Sequence, residues 1–346
     1  MNKTIFQGSV GPASSITAFG IILARALQYA ASIIFVAYLT PEVIGEYAFA
    51  MFLLMSVFSL LTTGTDSRII AMELSYAHLK ESWTIEVIRG ALILIIILSI
   101  CSYALFNMTF NSMHGYLLIL GLSMLIRCSK NINIVIARKN LNMMPIFYIE
   151  LGSALAFFIT SILLLFLLKN GWALPLGYLA GSIVYTGLSF VLLPINNIRF
   201  QFDFQRFREI FSYSKWLNFS AQIVSFFENI VPLIISSLFG IANLGLFEKS
   251  DQFSRKIIAQ ITQVFWIVGL PWSSQEHKNK RVSYEIISAI LLFFIILAIP
   301  LLIAISIFIP EFLVYVGGAA WSGSQGLIFA LCLVSAIACF NVPFGI

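Results

Sequence analysis

The chain has 346 residues, 60% of them hydrophobic and only 10% charged, with a mean hydropathy of +0.97. Soluble domains carry about 25% charged residues, so this composition excludes a soluble enzyme, a disordered chain, a coiled coil and a disulfide scaffold. The formal charge of +5 speaks first of membrane orientation rather than of nucleic acid, because Lys and Arg gather in cytoplasmic loops.

A helical span needs about 20 mostly apolar residues, which leaves room for about ten spans and none for a folded soluble domain. The apolar runs predict them at 14–39, 43–64, 87–108, 115–136, 146–168, 172–193, 213–239, 243–270, 284–309 and 324–345. The first is too long for a cleavable signal and carries Arg25 in its middle. Pro41, the Lys169-Asn170-Gly171 turn, Pro194, Pro271, Pro310 and Gly317-Gly318 all fall between the spans. Segments 65–86, 196–212 and 272–283 read as amphipathic or interfacial pieces.

The loop charges alternate. Lys3, then Arg68, Lys80 and Arg89, then Arg138 and Lys139, then Arg199, Arg206 and Arg208, then Lys278, Lys280 and Arg281 fall on one face, against Lys169 alone on the other. That asymmetry predicts cytoplasmic N- and C-termini. Cys101, Cys128, Cys332 and Cys339 sit in or beside apolar runs without metal or redox spacing, and read as small core residues. His78, His114 and His277 are scattered. No metal site and no cofactor is expected, since ligands come in clusters.

The chain also repeats itself. Residues 39–50, LTPEVIGEYAFA, align without a gap with 239–250, FGIANLGLFEKS, so that Ile44 meets Leu244, Gly45 meets Gly245 and Tyr47 meets Phe247. In each copy a long apolar span precedes a tight turn and a second span, and a charged stretch follows. A period of about 200 residues holds six spans, an even number, so the copies insert in the same orientation, as in transporters with parallel repeats. The repeat divides the chain into a six-helix lobe, 1–195, and a four-helix lobe, 196–346. Two further helices are expected to complete the second lobe, so the chain reads as truncated, either as a partial sequence or as a shortened gene product.

Charges inside spans need a reason, because one at the bilayer centre costs roughly 2.5–3.5 kcal/mol on insertion scales. Arg25 lies far from either interface; it faces a wet cavity or pairs with a carboxylate such as Glu150 or Glu228. In span eight Glu248, Asp251, Gln252 and Arg255 share one helical face, with Lys249 and Lys256 beside it. That stripe lines a cavity, or Asp251 and Arg255 pair with each other, or both. Glu228, Asp251 and Glu150 are candidates for ion coupling, against a salt-bridged structural role. Arg127 and Lys130, near the end of span four, are placed to snorkel. No Walker P-loop appears, so the chain does not hydrolyse nucleotide. No long loop offers the paired carboxylates of a membrane glycosyltransferase.

Arg25 followed by Leu39-Thr40-Pro41-Glu42-Val43-Ile44-Gly45-Glu46-Tyr47 resembles the opening of the Wzx-type polysaccharide flippases, within the multidrug/oligosaccharidyl-lipid/polysaccharide exporter superfamily. Thr63-Gly64-Thr65-Asp66, Leu244-Gly245-Leu246-Phe247 and the stretch from Pro310-Glu311-Phe312 to Trp321 are similar to later landmarks of that family. The resemblance implies an all-α polytopic membrane protein with two lobes around a central cavity, and twelve or fourteen spans where this chain has about ten. It implies transport of an undecaprenyl-diphosphate-linked oligosaccharide, an O-antigen or related repeat unit, from the cytoplasmic to the periplasmic leaflet of a bacterial inner membrane. Arg25, Arg255 and Gln252 would then bind substrate, since guanidinium groups grip phosphate oxygens bidentately. Membrane lipids, a polysaccharide polymerase and chain-length machinery would be its partners, and nucleic acid would not. The alternatives are a cation-coupled small-molecule exporter of the same superfamily, a membrane enzyme such as a polymerase, and an inactive product.

Overall fold

The computed structural model describes residues 10–62, 64–66, 69, 76–140, 142–195, 200, 219, 222–223, 230–259, 296 and 298–341, with 10–22, 76–77 and 339–341 described by backbone alone. Among the described residues there is no strand. The helices in chain order are α1 (Val10–Tyr38), α2 (Pro41–Leu60), α3 (Tyr76–Phe106), α4 (Ser112–Cys128), α5 (Asn133–Lys139), α6 (Met143–Leu168) and α7 (Ala173–Leu192). Next come α8 (Ile230–Phe239), α9 (Ile241–Phe253), α10 (Ile299–Gly317) and α11 (Ser324–Asn341). Six described runs are long and apolar enough to cross a membrane, and a bent α4–α5 pair would make seven. Their outward faces carry large apolar side chains, among them Ile95, Leu98, Ile159, Leu163 and Phe166. Such a surface needs hydrocarbon around it. The protein is an all-α polytopic membrane protein.

Contacts divide the chain into two compact units, one of residues 1–35 with 46–240, the other of 36–45 with 241–346. In the first unit, α3 and α4 pack around Ile93, Ile97, Cys101, Tyr116, Leu117, Leu120, Met124 and Cys128, with Ala50 and Leu54 of α2. Tyr116 meets Trp172 edge to face at 5.0 Å. The α6–α7 pair is tighter still. Gly177 and Gly181, one turn apart on α7, face Ser161, Phe157 and Ser153 of α6, and the Ser153 hydroxyl donates to the Gly181 carbonyl at 3.0 Å. Small residues at this spacing let helix backbones approach in lipid, where no hydrophobic force drives association.

The predicted turns at Pro41, Lys169-Asn170-Gly171, Pro194 and Gly317-Gly318 are present, and Pro271 lies outside the described residues. Pro41 opens α2 with Glu42 in its first turn, a residue pair suited to a helix start. Lys169 closes α6 in the left-handed region at φ 51°, its N–H donating to the Leu165 carbonyl. Gly318 closes α10 at φ 80°, where glycine has no Cβ to strain.

Three expectations are corrected. Span four does not run straight from 115 to 136, because α4 and α5 meet at a 63° bend. Buried Asn131 makes it: its backbone N–H donates to Ser189 Oγ, its side-chain amide to the Leu193 and Pro194 carbonyls, and its Oδ1 accepts from the Asn133 N–H. An asparagine side chain that satisfies neighbouring backbone competes with the helix ladder. The interfacial segment 65–86 is not separate throughout, since α3 starts at Tyr76 and continues unbroken into span three. Its 31 residues extend about 46 Å, beyond a hydrocarbon core of about 30 Å, so its charged first half projects out of that core. Finally, Pro310 does not end span nine. It lies buried inside α10, which runs on to Gly317; in a membrane helix neighbouring groups re-satisfy the freed carbonyl.

A methyl built on Gly177 would lie 2.6 Å from the Ser161 Cβ, whereas one on Gly187 of the same helix meets open space. Gly177→Ala should therefore destabilise the protein by about 1–3 kcal/mol, the usual cost of overpacking, while Gly187→Ala should not. Thermal unfolding of the two variants in one detergent checks this.

Candidate functional site

Among the described residues of the second unit, a dense polar group lies on α9 and the residues just after it. Asp251 is 2% exposed, and Lys249, Ser250 and Ser254 are buried with it. A buried carboxylate needs partners, and sequence spacing supplies them. Arg255, one turn on, grips Asp251 with two bonds, Nε to Oδ1 at 2.6 Å and Nη2 to Oδ2 at 3.2 Å. Lys256 bonds Glu248 at 2.6 Å and lies 3.6 Å from Asp251. Lys249 donates to Gln252 Oε1 at 3.0 Å. Lys249, Arg255 and Lys256 thus crowd around Glu248 and Asp251. The Arg255 and Lys256 side chains remain 46% and 43% exposed, beside Glu248 at 34%, so both guanidinium and ammonium groups stay accessible.

The expected i, i+4 pairing of Asp251 with Arg255 is present. Lys249 and Lys256 are more than flanking residues: one is buried against Gln252, and the other bridges both carboxylates. Helical spacing alone could have placed Lys256 two turns below Glu248. It could not have shown that Lys249 is buried.

Arg25 is on α1, in the first unit. It is exposed, and its Nη1 donates to Gln28 Oε1 at 3.0 Å. Among the described residues no carboxylate forms an ion pair with it. Glu150 is not its partner but sits 3.7 Å from Arg138. Glu228 lies outside the described residues. Of the three ion-coupling candidates, Asp251 and Glu150 each have a basic neighbour, Arg255 at 2.6 Å and Arg138 at 3.7 Å.

The first unit holds a second polar group that hydropathy presented only as loop charge. Glu86, 2% exposed, accepts from Thr65 Oγ1 and from Arg89 Nη2, each at 2.5 Å. The Arg89 guanidinium lies 4.4 Å over the Phe58 ring. Lys130 pairs with Asp66 at 3.4 Å, and Arg127 stacks over Tyr185 at 4.5 Å. The two basic residues expected to snorkel are thus also held by specific partners. Thr65 and Asp66 belong to the Thr63-Gly64-Thr65-Asp66 stretch, whose polar run was the available signal.

A family described as polysaccharide biosynthesis protein matches residues 34–325. The chain belongs to that family. No curated protein and no solved structure gives a significant match. Family membership gives this group its setting, a membrane protein of polysaccharide synthesis or export.

Residues in one ion-pair network couple energetically. In a double-mutant cycle on Asp251→Asn and Arg255→Gln, the double variant should lose less stability than the sum of the single losses, by about 0.5–3 kcal/mol. Thermal unfolding of the four proteins measures that difference, and strict additivity would show that the pair contributes nothing.

Proposed function

We propose that this protein is a flippase that carries an undecaprenyl-diphosphate-linked oligosaccharide, an O-antigen or related repeat unit, from the cytoplasmic to the periplasmic leaflet. It acts in the bacterial inner membrane, with its N-terminus in the cytoplasm, and makes or breaks no covalent bond. The observation that carries this reading is the pair of accessible basic side chains, Arg255 and Lys256, just after α9 of a membrane protein in a polysaccharide family. A polyprenyl diphosphate joins a strongly anionic headgroup to a long apolar tail. The tail stays in hydrocarbon, while the headgroup needs cations along its way. Arg255 and Arg25 suit that task because guanidinium stays charged at every physiological pH and binds phosphate oxygens in a planar fork. Asp251 holds the Arg255 guanidinium in a fixed orientation while leaving its outer edge accessible. Gln252 follows Asp251 on α9 and adds a neutral hydrogen-bonding group for sugar hydroxyls.

Movement by alternating access follows from the parallel repeat. A polymerase and the chain-length machinery would consume the product on the far leaflet.

Hydrogen bonds to charged groups contribute about 1.5–3 kcal/mol each, so Arg25→Ala and Arg255→Ala should each cut transport roughly tenfold or more. The assay is surface polysaccharide in a strain lacking the chromosomal copy, together with flipping of a purified lipid-linked oligosaccharide in liposomes. Membrane levels are measured in parallel. Undiminished transport by both variants at normal levels would overturn the reading.

A further inference from the structure

Gly45 on α2 and Gly245 on α9 are aligned residues of the internal repeat, and both belong to the second compact unit. A methyl built on Gly45 would overlap the backbone carbonyl oxygen of Ile241. A methyl built on Gly245 would overlap the carbonyl oxygen of Pro41 and lie 2.9 Å from the Gly45 nitrogen. Pro41 and Ile241 are themselves aligned residues of the repeat. The contact is therefore reciprocal: residue 45 abuts 241 as residue 245 abuts 41. A self-complementary contact of this kind is what a local two-fold axis produces, here relating the starts of α2 and α9.

Neither glycine is needed for its backbone angles, since the described glycines with positive φ are Gly64, Gly240 and Gly318. Space is the reason for both. The closest clashing atoms are backbone carbonyls, joined at Gly45 by Ile241 Cγ2, so a larger residue cannot be accommodated by turning a side chain alone. Ile44 and Leu244, the next aligned pair, are 2% and 1% exposed.

The nature of the contact is informative. At the α6–α7 crossing, a serine–carbonyl hydrogen bond fastens the two helices. At the Gly45–Gly245 crossing the atoms nearest to where a glycine Cβ would stand are the carbonyl groups of Ile241 and Pro41, with Ile241 Cγ2 and the Gly45 nitrogen beyond them. Carbonyls this close to a glycine make only individually weak Cα–H to oxygen contacts, and parting them strands no charge. We propose that this crossing is a symmetric latch. It closes the transport path at the end marked by the 39–41 and 239–241 turns, and it parts when the path opens there. The proposal rests on the transport reading above, but its test needs no substrate.

Single cysteine reporters, Leu244→Cys or Ile44→Cys, are placed in the full chain in membrane vesicles and exposed to a membrane-impermeant maleimide, with the native-cysteine background subtracted. With both glycines intact, labelling is slow. Gly45→Ala should raise labelling of the Leu244→Cys reporter roughly tenfold, a shift of the order expected from overpacking, and Gly245→Ala should do the same for Ile44→Cys. Gly326→Ala, where a methyl meets open space, should change neither. Unchanged labelling in inserted Gly45→Ala and Gly245→Ala chains would overturn the latch. Should those variants fail to insert, the glycine-intact chains still decide. One opening event exposes both reporters, so their labelling rates must rise together with temperature, and independent rates would overturn the proposal. Any of these failures leaves the flippase reading standing, because that is tested separately through Arg25 and Arg255.

Discussion

A charge in hydrocarbon must bring its partner with it, and the layout of this protein follows from that requirement. Asp251 could not be buried in α9 without the two bonds from Arg255 and the nearby Lys256 ammonium. Glu86 could not be buried in α3 without Thr65 and Arg89. Both groups are assembled largely at helical spacing, so the helix itself brings donor and acceptor together. Breaking such a pair leaves an uncompensated charge, which costs far more than the pair contributes when whole. Among the described residues, the buried carboxylates Glu86 and Asp251 each come with an arginine at helical spacing.

The same solvent removes the usual force that joins helices. Lipid tails are as apolar as leucine, so helices associate through close packing and interhelical hydrogen bonds. This explains why glycine and serine occupy the closest crossings: Gly177 and Gly181 against Ser161 and Ser153, and Gly90 against Cys128. Large apolar side chains are correspondingly abundant on the outward faces. The distribution is partly inverted relative to a soluble domain, with small residues at the contacts and large ones against the solvent.

Much of this was legible in the sequence. Hydropathy located α2, α3, α6, α7 and α11, and Pro41, Lys169-Asn170-Gly171 and Gly317-Gly318 marked turns that the structure contains. Spacing alone paired Asp251 with Arg255. What escaped were features in which local composition and backbone path disagree. Ile132, Ile134 and Val135 carry the hydropathy signal through a bend that Asn131 creates with carbonyls about sixty residues away in the chain. The charged residues 76–86 looked like an interface because they are polar, yet nothing there breaks a helix. Pro310 looked like a terminator because it is one in water, where no neighbouring helix compensates. Glu86 looked like loop charge because its partner Thr65 is 21 residues distant. In each case the deciding contact is non-local, and a window of a few turns cannot contain it.

The repeat is the exception, since it carries long-range information in linear form. Two aligned segments about 200 residues apart share a glycine at one position, and that alone is weak evidence. Structure gives it a physical reason, because a residue at a two-fold crossing faces its own counterpart. A large side chain at either position strikes backbone of the other copy, so neither half can enlarge its residue and be accommodated by the other. The glycine at 45 therefore constrains the residue at 245 through shared space rather than through shared ancestry alone. The flanking residues Ile44 and Leu244 need only be apolar, and they differ. Tyr47 and Phe247 need only be aromatic, and they differ as well. Identity persists at the position where the backbones leave no choice, and similarity suffices where side chains can repack.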